Sequence, residues 1–98
     1  VDAGIGGRVA EVVGRNLAEL AQKRQVFCIT HLQQIACDAD HHFVIQKRTE
    51  QGRTQTLVRR LQEAQREEEI ARMLAGIRIT DQAMAHAREM LKIAGRHA

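Results

Sequence analysis

The sequence predicts an α/β domain that is incomplete on its own, running helix, strand, helix, β-hairpin and two closing helices over residues 1–98. Three observations carry this reading. Val26-Phe27-Cys28-Ile29-Thr30 is β-prone and apolar at both alternating positions, as in a strand covered on two faces. A helical pattern of crossover length precedes it. A hairpin and two amphipathic helices follow, and the hairpin alone cannot flank a central strand on both sides. The strand expected before the first helix would end just ahead of Val1, so the chain reads as a single, partial domain.

Each element has its own signal. Val1–Gly7 is a glycine-rich opening. From about Arg8 to Lys23, Val9, Val12, Val13, Leu17 and Leu20 recur at spacings of three and four and mark one helix face. Gly14 lies inside that helix, where it costs up to about 1 kcal/mol against Ala, and close packing is expected there. After the strand at 26–30, a short helix is expected from about Leu32 to Cys37. Residues 41–48 and 53–60 read as paired strands around Glu50-Gln51-Gly52, with Phe43, Ile45, Leu57 and Val58 covering one side. Residues 62–75 form a polar helix with an apolar end at Ile70, Met73 and Leu74, stopped by Gly76. Thr80 is the N-cap of a last helix over about 81–94. Its buried stripe is Ala83, Met84, Ala87, Met90, Leu91 and Ala94.

Composition narrows the function classes. Fifteen Lys and Arg against twelve Asp and Glu give a net charge of +3, a weak bias towards anionic partners. Hydrophobic residues make up 44%, which argues against disorder. No apolar run approaches the roughly 20 residues of a membrane span, and no signal-peptide pattern opens the chain. The two cysteines read as free thiols of a cytosolic protein. With two Phe and no Trp or Tyr, the core must come from aliphatic residues. The unpartnered strand and the face of the first helix predict an exposed apolar surface and self-association.

Several stretches invite a chemical reading. Gly4-Ile5-Gly6-Gly7 before a helix is suited to anions, since helix N-terminal N–H groups bind them. However, Val9 stands where a dinucleotide fingerprint needs its third glycine, and no Gly-Lys-Ser/Thr of a P-loop occurs. A flexible helix entry is the plain alternative. His31 follows the buried strand, where α/β folds place ligand-facing groups. It could donate to a phosphate oxygen, or simply cap the next helix. Cys28, His31, Cys37, His41 and His42 match no common zinc spacing, and buried cysteine is an ordinary core residue. No metal site is expected. Glu67-Glu68-Glu69 reads as a solvated helix face. Arg59-Arg60 is surface charge or, alternatively, a contact to a DNA backbone.

Two of these stretches together carry a resemblance. Val1-Asp2-Ala3-Gly4-Ile5-Gly6-Gly7 and Thr30-His31-Leu32-Gln33-Gln34 are similar to the C-terminal end of RecN-type DNA repair proteins, SMC-like proteins with ABC-type ATPase heads. The likeness continues through Ala39–Phe43, Gly52-Arg53-Thr54, Glu69–Gly76 and His86–Leu91, and so covers essentially the whole chain. It implies a partial lobe of an ATPase head. The opening segment would be the D-loop, with Asp2 at the nucleotide sandwich between two heads and Gly4, Gly6 and Gly7 turning the backbone into the helix. Thr30-His31 would be the switch segment, with His31 reaching the γ-phosphate. The implied function is ATP hydrolysis coupled to head dimerisation in recombinational repair of DNA double-strand breaks, in the bacterial cytoplasm at the nucleoid. The implied cofactors are ATP and magnesium, and the partners are the rest of the head, a second head and DNA, with no membrane.

The chain also departs from the family. The Walker A loop, the signature motif, the Walker B aspartate and the catalytic glutamate are absent from these residues, so the 98 residues alone are expected to be catalytically silent and to hold no cofactor. Gln33 stands where the family often has proline. The competing reading is a non-enzymatic α+β module that self-associates or binds nucleic acid.

Overall fold

Hydrophobic spacing in the last third of the chain dictates the best-formed part of the molecule. A computed structural model describes residues 6–96 and contains six elements in order. They are α1 (Gly7–Ala21), α2 (Gln33–Ala36), β1 (Phe43–Glu50), β2 (Arg53–Arg60), α3 (Glu63–Ala75) and α4 (Asp81–Arg96). The expected mixture of helices with an antiparallel hairpin is present.

Helices α3 and α4 pack against each other around Ile70, Ala71 and Ala87, each with no exposed surface. Ala83, Met84, Met90, Leu91 and Ala94 pack against this centre, which is the stripe expected for the last helix. Local chemistry sets the ends. Gln62 and Gln65 form a reciprocal capping box at the start of α3, and Gly76, at φ 79°, ends it. The Thr80 hydroxyl accepts the Ala83 N–H at 3.1 Å and caps α4. The acidic run of α3 is less free than expected. Glu69 pairs with Arg72 one turn on, and Glu67 pairs with Arg88 of α4 at 3.0 Å.

The hairpin turns through Gln51 and Gly52, both at positive φ (50° and 75°), which is the type I′ geometry that follows the twist of paired strands. Phe43 opposes Arg60 and Ile45 opposes Val58. Side chains alternate along a strand, so Phe43, Ile45 and Val58 share one face. Leu57 opposes Gln46 and lies on the other face with Val44, not with Val58 as expected. The ladder is extended by one bond, Leu61 N–H to His42 O at 2.9 Å, and Leu61 is buried.

The first third departs furthest from its pattern. α1 meets α2 closely at Gly7 and Gly14, Ala10 and Gly14 are its buried residues, and Val13 and Leu17 of the expected stripe are only half-buried. A Cβ at Gly14 would lie 2.8 Å from the Gln34 carbonyl oxygen and 3.3 Å from the Ile35 Cα. The expected close packing at Gly14 is therefore present. Val9, Val12 and Leu20 are about half exposed. Val26–Thr30 forms no ladder, and Phe27 and Ile29 are 82% and 81% exposed. A strand is defined by its neighbours, and the only sheet among the described residues is the two-stranded hairpin. Among the described residues, no helix is long and apolar enough to cross a membrane.

Candidate functional site

A helix of four residues is too short to hold itself together in water, so α2 depends on what surrounds it. Its N-terminal side begins at Thr30, whose hydroxyl oxygen accepts the Leu32 N–H at 3.0 Å. The N-cap residue is Leu32, and no side chain caps the helix, so the alternative of His31 as its cap is corrected. His31 lies on the surface in this connection. An exposed imidazole held in a turn can donate to, or accept from, a ligand brought to it.

The body of α2 rests on α1. Gly7 is the first residue of α1, and a Cβ there would meet the Gln34 side-chain nitrogen at 3.1 Å. The glycine entry and the Thr30-His31 connection, far apart in sequence, are thus neighbours through Gln34. Gly6 is the extended N-cap of α1, at φ −82° and ψ 169°. Asp2 and Gly4 lie outside the described residues. The Gln34 side-chain oxygen is buried and has no hydrogen-bond partner among the described residues.

The C-terminal end of α2 meets a residue that the sequence reading passed over. One terminal nitrogen of Arg66, on α3, donates to the carbonyl oxygens of Ala36 (3.2 Å), Cys37 (3.1 Å) and Ala39. Helix C-termini leave such carbonyls without intrahelical donors, and a guanidinium suits the negative end of the helix dipole. Burial lowers the Arg66 pKa from its ordinary value, while Cys37 and the carboxylates of Asp40, Asp38 and Glu63 push the other way. Nothing in the local sequence marks Arg66, because an arginine in a charged helix reads as surface.

Two further titratable groups lie nearby. Burial, with Asp38 adding to it, pushes the Cys37 thiol up from 9.0 to about 11, and the thiol donates to the Gln34 carbonyl at 3.5 Å. It is a core group and no nucleophile at neutral pH. Burial lowers the His42 pKa, and the Arg66 charge lowers it further, so this imidazole is neutral near pH 7. Among the described residues, no three His, Cys, Asp or Glu side chains gather as metal ligands. A groove of about 390 Å³ lies between the 37–40 connection, α3 and α4, lined by Asp38, Asp40, Glu63, Arg66 and Arg88 among others. His31 is not part of it.

The two arginines of the basic pair do not act together. Adjacent positions on β2 place Arg59 and Arg60 on opposite faces. A terminal nitrogen of Arg60 lies 2.7 Å from the His41 Nδ1. Arg59 shares its face with Arg48 and Arg53.

No protein-family model matches the chain. Curated relatives do. The chain is 44% identical over 93 residues to the DNA repair protein RecN of Haemophilus influenzae, which covers 95% of this chain and 17% of that protein. It is 52% identical over 91 residues to RecN of Deinococcus radiodurans (93% of this chain, 16% of the relative). It is 44% identical over 92 residues to RecN of Bacillus subtilis (94% and 16%). The chain therefore spans about a sixth of the length of these relatives.

Proposed function

We propose, from the premise that the chain is RecN-like over nearly its whole length, that it is the C-terminal part of an ATPase head acting in DNA double-strand break repair. The observation that carries the reading is the 43–52% identity to several RecN proteins over about 95% of the chain. Two structural facts support it. His31 is accessible at a turn, and the helix entered through Gly6-Gly7 is seated beside the connection that bears His31. In this reading the opening loop, with Asp2, Gly4, Gly6 and Gly7, lies at the interface between two heads. Thr30 shapes the turn, and His31 donates a hydrogen bond to the γ-phosphate of ATP.

ATP supplies the phosphoanhydride bond that is broken. The described residues fit a donor role towards its phosphate, through an exposed imidazole and the first-turn N–H groups of α1. They do not fit a magnesium site, since no acidic cluster forms among them. The metal, the phosphate loop and the base would come from other parts of the head, so the 98 residues alone are inactive. A fixed donor aimed at charge developing in the transition state is worth about 10²–10³ in rate. In a full-length protein carrying this segment, His31→Ala is expected to lower kcat for ATP hydrolysis by about 100-fold, with a smaller change in KM. An unchanged kcat overturns the assignment.

A second reading rests on the hairpin. It is exposed at every position but Val44 and carries Lys47, Arg48, Arg53, Arg59 and Arg60. It would bind nucleic acid as a basic ribbon. Salt-dependent DNA binding that weakens on Arg59→Ala and Arg60→Ala supports it, and binding indifferent to salt removes it.

A further inference from the structure

We infer that Arg66 is a positioning residue for His31, holding the histidine's connection in place from the far end of α2. The inference rests on the reading of His31 as a phosphate-contacting residue.

The connection from Thr30 to Ala39 has one turn of helix and no strand. Several contacts among the described residues hold it, and the burial of Ala36 and Cys37 with Ile70, Ala71 and Ala87 is one of them. The Thr30 hydroxyl ties its first turn. The glycine face of α1 fits against Gln34 and Ile35 in its middle. Its end is gathered by Arg66, which reaches from an element 27 to 30 residues further along the chain. The Arg66 contact adds side-chain hydrogen bonds from α3 to the apolar tie that Ala36 and Cys37 make with the α3–α4 pair.

The Arg66 geometry is specific. Its three acceptors are backbone carbonyls at the end of α2, so their positions depend on the path of the chain and not on any side-chain rotamer. The Arg66 Nε is buried and has no partner among the described residues. The side chain thus stays in this place although one of its donors is unmet, which an arginine free to turn to solvent would avoid. Arg and Lys differ here, because a lysine ammonium is a point charge without the planar fork. Lys at this position keeps the attraction to the helix end, but its nitrogen is not held in the guanidinium plane that aims the Arg66 donor at these carbonyls.

The consequence for His31 is geometric. Misplacing a reacting or stabilising group by about 1 Å can cost about 10²-fold in rate. Releasing the end of α2 lets the connection drift at both ends, because a single helical turn is marginal without its supports.

The test uses a full-length RecN-type protein carrying this segment, with Arg66→Met, Arg66→Lys, His31→Ala and the double variant Arg66→Met/His31→Ala. Methionine keeps an apolar stem and removes the donating nitrogen. The expected result is a fall in kcat of about 10-fold or more for Arg66→Met, with KM for ATP changed less and Arg66→Lys falling between it and wild type. The double variant is expected to be no slower than His31→Ala alone, since a residue that acts through another is not additive with it. Amide hydrogen exchange supplies the second readout. Residues 33–39 are expected to exchange faster in Arg66→Met while α3 and α4 keep their protection.

Wild-type kcat in Arg66→Met, beside a slow His31→Ala, overturns the inference. So does a double variant in which the two losses multiply, or a loss of protection that spreads evenly over α3 and α4. An active His31→Ala instead removes the phosphate assignment, and with it the role given to Arg66. In that case faster exchange at 33–39 still separates a purely structural tie from no tie at all.

Discussion

The α3–α4 pair and the segment from α1 to the hairpin are built from similar residues and end in opposite conditions. In the pair, Ile70, Ala71 and Ala87 lose all exposed surface and the methionines close around them. In the earlier part, Val9, Val12, Leu20, Phe27, Ile29, Phe43, Ile45 and Val58 remain exposed. The pair closes its centre together with Ala36 and Cys37 at the end of α2. The earlier part presents aliphatic and aromatic side chains over α1, the 26–30 segment and one face of the hairpin. Exposed apolar surface of this extent marks an interaction region, and the rest of a longer head is the occupant proposed for it.

The contrast can be broken by substitution. Ile70→Ala is expected to destabilise the chain by about 2–5 kcal/mol, because it empties a fully enclosed site. Ile45→Ala, on the exposed hairpin, is expected to cost under about 0.5 kcal/mol. Thermal or urea denaturation of both variants compares them directly, and equal losses would end the distinction between the two parts.

Gly14→Ala tests the seam between α1 and α2. A helix interior normally gains up to about 1 kcal/mol from this change. Here the new methyl group meets the Gln34 carbonyl and the Ile35 Cα, which are backbone and cannot swing aside. A net loss of about 1–3 kcal/mol is expected, as for overpacking elsewhere. A gain in stability would show that the seam yields.

The smallest expected effect lies in the cysteines. Cys37 has its pKa raised to about 11 in the fold, against 9.0 when unburied. The folded state therefore holds the thiol proton more tightly. The contribution to stability is fully present below pH 9 and is lost as pH rises through about 11. A denaturation series from pH 8 to 11 should show this decline in the wild type and a weaker one in Cys37→Ala. At pH 8, alkylation is expected at the exposed Cys28 well before the buried Cys37.

Features that depend on a few neighbouring residues were legible in the sequence. Thr80 as a cap, Gly76 as a stop, the turn before Arg53 and the stripe of α4 all follow from short-range chemistry. Features that depend on distant partners were not. The valine periodicity of α1 marks a real apolar face, but the sequence does not say that glycine and alanine seat the helix. Val26–Thr30 has the composition of a covered strand and no cover among the described residues. Leu57 was placed on the wrong hairpin face because pairing register, not composition, decides it. Of the candidate site, His31 is exposed and Thr30 half-buried, and the strand expected to lead into them forms no ladder. Arg66 stayed hidden because its acceptors are backbone atoms of a remote connection, and carbonyls leave no trace in residue identity.

The bare seam of α1 has a mechanical meaning. Where two segments touch through long side chains, a shift of one is absorbed by rotamer changes in the other. Gly14 offers no such cushion against Gln34 and Ile35. A displacement of the short helix beside His31 must either carry α1 with it, down to the glycines at its head, or pry the two apart.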